Sequence, residues 1–368
     1  MSHACRRLIY ATSAPQFIRE CSKGAGLSVH PKKVSLYPEK SKVTIYDIAR
    51  EAGVSASTVS RALSSPDRVS SRTRRLIEVT AAELDFRINH LAQVLKTGST
   101  KTLGLVIADV NNPAFFGLLR GAGKFAAQRD YSVVLAQAAD SAAQELASAG
   151  RLLSAVDGLI LASPRMADAD IRDLAESTPL VVLNREMENV NTVVPDPEKG
   201  ASEAIRYLAE HGHKKVLFVA GPEQSWMSAR RWETISDACQ WCQLKAERIE
   251  SPSPTLDGGR QVAHHVRAAG ATAVITYNDL MAIGLMRQLQ SSGVSIPKAL
   301  SIIGFDDIFG ADLTTPSLTS IRSPQNECGS LAAGVLLDAL AGPAPIPAAL
   351  RVGTELIIRG SAGRCDSA

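Results

Sequence analysis

The run VTIYDIAREAGVSASTVSRAL, from Val43 to Leu63, determines how the front of this 368-residue chain folds. Thr44, with Asp47 three residues later, has the spacing of a shortened capping box at a helix start. Gly53 then interrupts the apolar spacing of that helix, and Ser55 is suited to cap a second one. The run therefore predicts two short helices joined by a tight glycine turn.

The second predicted helix has a polar outer face. It leaves four side chains outward, namely Ala56, Ser57, Ser60 and Arg61. The second helix of such a pair fits the major groove of DNA, where short polar side chains and an arginine reach base edges. We assign base contacts to Ala56, Ser57 and Arg61. The alternative is a pair of packed helices that binds nothing.

Two more helices are predicted before the chain changes character. One follows Ser70 and buries Ile77, Ala81 and Leu84. The other is short and apolar and runs from Asn89 to about Lys96. We therefore expect a helix-turn-helix domain over residues 43–88 and a hinge helix with its linker over residues 89–101.

Charge is distributed unevenly along the chain. Residues 1–42 hold eight Lys or Arg against two Asp or Glu, and residues 102–368 hold 23 against 29. A basic front on an acidic body indicates that the front meets a polyanion such as nucleic acid, although chance asymmetry from a basic tail is the alternative. Residues 1–42 lack periodicity and a secretory apolar core, so we predict a disordered basic extension. Translation starting near Ser41 would explain them equally well.

Beyond Lys101 short apolar runs alternate with helical stretches, which is typical of parallel sheets covered by helices. The predicted strands are Leu103–Ala108, Val133–Ala136, Gly158–Leu161, Leu180–Leu183, Val216–Ala220, Ala273–Thr276 and Ser301–Phe305. About 260 residues of this pattern predict two doubly wound α/β units. The sequence contains no run of the roughly 18 apolar residues that a membrane-spanning helix requires, so we expect no contact with a membrane.

Six cysteines without disulfide-framework spacing favour a reducing compartment, and we expect a cytoplasmic protein. Cys239 and Cys242 have the spacing of a redox or metal pair. They lie within a helical pattern from Ser228 to Ala246, so buried structural thiols are the stronger interpretation. The sequence contains no G-x-S-x-G, Walker or H-E-x-x-H motif. We predict no catalytic residue, no metal and no cofactor.

The Val43–Leu63 run, the later NHLAQVLKTG (residues 89–98) and the pair ND and GFDD at Asn278 and Gly304 together resemble the lactose-repressor family of bacterial transcription regulators. The similarity extends to about Arg359. It implies a helix-turn-helix headpiece with a hinge helix, then two Rossmann-like lobes of a periplasmic-binding-protein-like sensor. We expect this sensor over residues 102–364, with the N-lobe at about 102–194 and 322–352 and the C-lobe at about 195–321 and 353–364.

The resemblance also implies partners and contacts in the headpiece. Such proteins bind double-stranded operator DNA as homodimers, and their hinge helix pushes a leucine into the minor groove. The DNA contacts implied here are Thr44, Tyr46, Ser55, Ala56, Ser57, Thr58, Ser60, Arg61, Ser70, Thr73, Arg74, Asn89, Ala92 and Leu95. Ser70, Thr73 and Arg74 would hold phosphates, and Leu95 would be the wedge. The alternative for Leu95 is a core leucine of a linker helix.

A ligand is expected in the cleft between the lobes, at the carboxyl ends of the strands. A polyol needs paired donors and acceptors, which a carboxylate, an amide and a guanidinium supply. The effector contacts implied are Phe115, Phe116, Asn184, Arg231, Asn278 and Asp306. Core packing is as good an explanation for the two phenylalanines as stacking on a sugar.

The competing function is a sugar-binding receptor or a sugar-handling enzyme built on the same lobes. A receptor requires an export signal, and an enzyme requires a nucleophile, paired acids or a metal cluster. We therefore predict a regulator, most readily a repressor, whose operator affinity a small polyhydroxylated effector controls.

Overall fold

The computed structural model describes residues 43–64, 66–86, 98–342 and 349–364. The chain divides into two compact units, Met1–Ile88 and Asn89–Ala368. The predicted extension of residues 1–42 and the hinge residues Asn89, Ala92 and Leu95 lie outside the described residues.

The first unit is a bundle of three helices, α1 (Ile45–Glu51), α2 (Ala56–Ser64) and α3 (Ser71–Glu83), with a 3-10 turn at Pro66–Arg68 before the last. Their starts are those predicted from the capping residues. The Thr44 amide donates to the Asp47 carboxylate at 2.9 Å. Ser55 Oγ accepts from the Thr58 amide at 3.2 Å, and Ser70 Oγ accepts from the Thr73 amide at 3.3 Å. Each cap satisfies a backbone donor that the helix itself leaves unpaired.

The core of this unit takes one fully buried branched residue from each helix: Ile48, Val59 and Ile77. Three alanines fill the space between them, Ala49, Ala62 and Ala81. Gly53 has a φ of 64°, which supplies the left-handed turn that joins the first two helices. Predicted Leu84 is only half-buried, since it follows the last helical residue of α3.

The second unit alternates strands and helices. Their chain order is β1 (Thr102–Ile107), α4 (Ala114–Ala127), β2 (Ser132–Gln137), α5 (Ala142–Leu152), β3 (Gly158–Ala162), α6 (Asp168–Ser177), β4 (Leu180–Leu183), β5 (Asn191–Asp196), α7 (Glu198–Glu210), β6 (Lys215–Val219), α8 (Trp226–Trp241), β7 (Lys245–Ile249), α9 (Leu256–Gln261), α10 (Ala263–Ala268), β8 (Ala273–Thr276), α11 (Asp279–Ser291), β9 (Ser301–Asp306), β10 (Thr319–Arg322), α12 (Gln325–Ala341), β11 (Leu350–Gly353) and β12 (Glu355–Ile357).

These strands form two six-stranded sheets, one for each lobe. The first has the order β11-β5-β4-β3-β1-β2, and the second has the order β12-β10-β9-β8-β6-β7. Neighbouring strands are parallel except at β12, which runs antiparallel to β10. A helix-turn-helix unit followed by two parallel-sheet α/β lobes is the predicted fold class.

All seven predicted strands are present, and β4 and β8 have the predicted bounds. The sequence did not indicate β5, β7, β10, β11 or β12. The helix predicted to continue to Ala246 was wrong at its end, because α8 stops at Trp241 and Gln243 takes a left-handed φ of 56° before β7 begins. Cys239 on this helix is a buried free thiol, and burial raises its pKa to about 12.

The chain passes between the two sheets three times: between Asp196 and Glu198, at Ser323, and at Thr354. Thr354 Oγ1 donates to the Asp196 carbonyl at 2.9 Å, which joins the first and third passages. A Cβ on Gly200 would lie 2.5 Å from Ile321 and 2.7 Å from Thr354 Oγ1, so the three passages are tightly packed. None of the described helices is long and apolar enough to cross a membrane.

Candidate functional site

The outer face of α2 carries two exposed predicted base contacts, Ser57 and Arg61. Arg61 Nε donates to the Ser57 carbonyl one turn back, at 3.2 Å. Ser60 is half-buried. Ala56, which the sequence predicted to point outward, is instead partly buried against the headpiece core. It packs there together with Ala52 and Val54, the apolar residues of the turn before α2. Ser57 and Arg61 are therefore the more accessible residues of this face.

The other predicted DNA contacts lie at helix starts. Thr44, Tyr46, Ser55 and Ser70 are exposed, and Thr58 and Thr73 are half-buried. Several hydroxyls are already used locally, since Ser55 Oγ lies 2.8 Å from Thr58 Oγ1 and Ser70 Oγ lies 2.9 Å from Thr73 Oγ1. Arg74 forms an ion pair with Glu78 at 2.7 Å. The start of α3 nevertheless presents backbone amides, which favour a phosphate.

A pocket lies between the lobes of the second unit, where several strands end, with about 350 Å³ of empty space when the solvent at its open side is included. Its lining from the first lobe is Ala108, Asp109, Asn112, Phe115, Asp140, Ser163 and Arg165, and its lining from the second is Pro254, Tyr277 and Asn278. A cleft with a few convergent polar groups is the usual form of a small-molecule site.

Arg165 is the cation of this lining, and only 6% of its side chain is exposed. Its Nη2 donates to Asp140 Oδ1 at 3.1 Å and its Nη1 to the Ser163 carbonyl at 3.0 Å. Its buried Nε has no hydrogen-bond partner among the described residues. Burial by itself lowers the pKa of Arg165, but the Tyr277 and Asp140 side chains outweigh it and the net shift is upward.

Glu145 fixes the loop that carries Arg165. Its carboxylate accepts from the backbone amides of Arg165 at 2.7 Å and Met166 at 3.0 Å. The Glu145 side chain is buried, and this burial raises its pKa against the effect of the two amides. These two hydrogen bonds fix the backbone of the loop that carries the arginine.

Behind the pocket wall lies a buried ion pair. Arg231 Nη2 donates to Asp306 Oδ1 at 2.8 Å, with 4% and 7% of the two side chains exposed. Arg231 also donates to the Tyr277 carbonyl, and its guanidinium lies 3.8 Å from the centre of the Phe305 ring. Burial raises the pKa of Asp306, and Arg231 partly offsets this shift. Two charges this deeply buried need each other, because removing either leaves the other unpaired.

Asn278 lines the pocket, and its side-chain amide is engaged on both sides. Oδ1 accepts from the Met281 amide at 2.9 Å and caps α11, while Nδ2 donates to the Pro254 carbonyl at 2.8 Å. Phe115 is buried and lines the pocket, whereas Phe116 is 44% exposed and is not among its lining residues.

Several residues at or near this cleft have a positive φ, and Ser163 is among those that line it. Asn184 and Ser163 have φ values of 61° and 59°, and Asp306 has 104°. Asn184 Nδ2 donates to Ser163 Oγ at 2.8 Å, while its buried Oδ1 has no partner among the described residues. Left-handed non-glycine residues cost about 1–3 kcal/mol each and cluster at functional sites.

Two further carboxylates near the cleft, those of Asp279 and Asp307, hold loops. Asp279 accepts from the Ser320 hydroxyl at 2.6 Å and the Ile308 amide at 2.8 Å. Its complete burial raises its pKa well above the ordinary value. Asp307 pairs with Arg322 at 2.8 Å and Arg359 at 2.7 Å.

Three charged residues of the pocket were not predicted from the sequence: Asp109, Asp140 and Arg165. Each follows a strand of the first sheet, β1, β2 or β3. The rule that applied to Asn278 and Asp306, that ligands bind beyond the carboxyl ends of strands, would have found them.

A three-helix DNA-binding headpiece followed by two lobes around a polar cleft defines a regulator with a small-molecule sensor. Residues 44–89 match the bacterial regulatory proteins, lacI family, and residues 205–362 match the periplasmic binding protein-like domain. The HTH-type transcriptional repressor CytR of Escherichia coli K12 is 32% identical over 332 residues, which are 88% of this chain and 97% of CytR. This chain therefore belongs to the lacI family of bacterial transcription regulators.

Solved structures of the family agree with this assignment. The lac repressor dimer bound to operator and the anti-inducer ONPF superposes with a TM-score of 0.78 at 26% identity, over 87% of this chain and 99% of that chain. A LacI family regulator from Enterococcus faecium with bound ribose superposes with a TM-score of 0.65 at 27% identity, over 71% and 98%.

Proposed function

We propose that this chain is a transcriptional repressor that binds a pseudo-palindromic operator as a homodimer and whose operator affinity is set by a small polyhydroxylated effector bound between its lobes. The observation that carries this proposal is the cleft: polar groups from both lobes converge there, in a chain whose front is a helix-turn-helix unit. A ligand that touches both lobes favours one arrangement of them, and such a hinge motion is a means of control.

We assign base contacts in the major groove to Ser57 and Arg61, the exposed residues of α2. Ala56 and Ser60 lie on the same face, but they are half-buried and their side chains are short. Phosphate contacts belong to the exposed start of α3, and Leu95 of the hinge is the minor-groove wedge that the family resemblance implies. Operator binding by the lac repressor dimer supports this scheme.

In the cleft, we assign the effector's hydroxyls to the lining residues Asn278 and Arg165, with Phe115 as an apolar wall. The other predicted contacts, Asp306, Arg231 and Asn184, are not lining residues, and we propose that they support the site from beside it. The unpartnered Oδ1 of Asn184 supports its part, since a buried acceptor without a partner is costly and a hydroxyl would satisfy it. Bound ribose in the Enterococcus faecium regulator supports the chemical class.

We infer that the chain acts by binding and not by catalysis, in the cytoplasm and on the nucleoid, as a regulator does. We propose lobe boundaries at the three passages, between Asp196 and Glu198, at Ser323 and at Thr354, which lie within a few residues of the predicted 194, 322 and 353. Its relatives are transcription regulators, which supports this assignment.

The decisive experiment has two stages. The full-length protein is first used to select operators from a randomised duplex pool, and a two-fold symmetric consensus is expected. A thermal-shift screen then tests monosaccharides, sugar acids, sugar phosphates and nucleosides, and the hit is added to the operator complex. Recovery of no preferred sequence, or a hit that leaves operator affinity unchanged, would contradict the proposal.

A further inference from the structure

The cleft lining offers no cation that is free to bind an anion. Arg165 is the single Lys or Arg among the described lining residues, and it is paired with Asp140. A second carboxylate of the lining, Asp109, forms no ion pair with any described residue and accepts from the Asn111 amide at 2.9 Å. The lining therefore holds two carboxylates and one guanidinium.

Helix N-termini beside the pocket do not supply the missing positive charge. Four helices begin there, and the partial positive charge of each is about half a unit. Of these, α9 carries Asp257 in its first turn. Asp140 directly precedes the Ser141 cap of α5, and Asn112 Oδ1 accepts from the Ala114 amide at the start of α4. The first residue of α11 is Asp279, whose carboxylate is buried. Each helix start is thus already matched by an acidic or amide oxygen of the protein.

Arg231, the second arginine near the cleft, is also already paired with a carboxylate. Arg231 lies behind Tyr277 and is held by Asp306 at 2.8 Å. Binding of a phosphate or carboxylate requires a guanidinium or ammonium able to form charge-assisted hydrogen bonds with it. Here an anion would have to displace a carboxylate from Arg165 or Arg231 while standing close to Asp109 and Asp140.

We propose that the effector is electrically neutral, a free sugar, glycoside or nucleoside, and that Asp140 enforces this choice by neutralising Arg165. The inference rests on the proposed effector cleft. Arg165 then serves as a donor to a hydroxyl oxygen, through the Nε that the protein leaves without a partner. Sugar acids and sugar phosphates are excluded by charge.

The test is calorimetric titration of the full-length protein with matched pairs: ribose and ribose 5-phosphate, glucose with glucose 6-phosphate and glucuronate, and uridine with its 5′-monophosphate. In the tightest-binding set, the neutral member should bind at least tenfold more tightly. A charged member that binds as tightly or more tightly would overturn neutrality while leaving the effector cleft standing. Binding by no member would contradict the cleft itself, and this inference with it.

A variant isolates the role of Asp140. Asp140→Asn removes the charge that neutralises Arg165, so the neutral-to-phosphate ratio of affinities should fall at least threefold. The matched control is Asp168→Asn, which takes a carboxylate from Arg185, a residue outside the pocket lining. Its ratio should equal that of the wild type. An unchanged ratio in Asp140→Asn would refute the role of Asp140, and the wild-type comparison decides neutrality even if that variant fails to fold.

Discussion

Buried charges in this molecule meet partners that are far away in the sequence. Arg231 and Asp306 are 75 residues apart, and Arg165 and Asp140 are 25 apart. The position of a carboxylate at a strand end is readable from the sequence, because the carboxyl ends of parallel strands share one edge. The sequence does not show which arginine pairs with which carboxylate, since that depends on how two separate elements pack.

The Asp157 carboxylate anchors the segment by which the chain enters the sensor. It accepts from the Ser99 hydroxyl, from the Thr100 amide at 2.6 Å and hydroxyl at 2.7 Å, and from the Lys101 amide at 3.1 Å. Partial burial raises the pKa of Asp157, but these hydrogen bonds outweigh it and the net shift is downward. The ionised form is therefore the one that the folded state prefers.

Asp157→Asn should lower the free energy of unfolding by about 1–2 kcal/mol at pH 7, allowing for the solvent that reaches this side chain. Because the folded pKa is the lower one, this stabilisation is complete above the unfolded value of about 3.9 and is lost as pH falls through the folded value. Urea unfolding at pH 7, 5 and 3.5 measures it. Exposed Asp173→Asn is the control, and a difference that stays constant down to pH 3.5 would refute the argument.

Arg61→Ala should relax sequence preference at one symmetric pair of operator positions, by about 1–3 kcal/mol per contact. The measurement is fluorescence anisotropy with the operator, its single-base variants and scrambled DNA. Arg50→Ala is the matched control, since Arg50 is an exposed arginine of the neighbouring helix paired with Asp47. The Arg50→Ala variant should change the affinity for all of these duplexes by the same factor. Equal losses on operator and scrambled DNA for Arg61→Ala would show that this side chain reads no base.

Among the elements, several of the predicted strands are completely buried, although predicted β2 is mostly exposed. Each of β3, β4 and β8 is buried along its whole length, which requires the continuous apolar runs that identify it. The missed β7 is an edge strand of sequence KAERI and is mostly half-buried, so its charges conceal it. In β5, Pro195 argued against a strand, yet it lies near the carboxyl end.

The packing of α4 against α12 depends on a glycine that no periodicity identifies. A Cβ on Gly121 would lie 1.9 Å from the Asn326 carbonyl oxygen, whereas a Cβ on Gly123 of the same helix meets nothing within 4 Å. Gly121→Ala should therefore destabilise the sensor by about 2 kcal/mol or more, because the helices must separate. Gly123→Ala should stabilise it by about 0.5–1 kcal/mol through helix propensity. Thermal and urea unfolding compare the two, and equal effects would contradict this account of the interface.

At the scale of the whole molecule, the three passages between the lobes connect the cleft to its hinge. Ser323 Oγ donates to Asp306 Oδ1 at 3.3 Å, the same oxygen that Arg231 holds. Ser323 lies just before α12, a helix that packs on the first lobe's strands and on α4. The sequence predicted passages near Val194, Arg322 and Gly353. It did not predict the hydrogen bond between Ser323 and Asp306, because these two residues come together only in the folded chain.

The length of the recognition helix α2 limits how much of an operator one chain can read. The nine residues of α2 span only about 14 Å, or about four base pairs, at 1.5 Å per residue. Four base pairs carry too little information to specify one operator in a genome, so a single headpiece should recognise a half-site and two chains a full one. Mass photometry of the complex should show two chains per operator. Deleting one half-site should reduce affinity almost to that for scrambled DNA, and moving the half-sites apart by five base pairs, half a helical turn, should have the same effect, whereas inserting the same five base pairs outside the site should have none. If one chain bound the full site with undiminished selectivity, the prediction of two chains per operator would be refuted. The second recognition helix would then contribute nothing to the choice of operator.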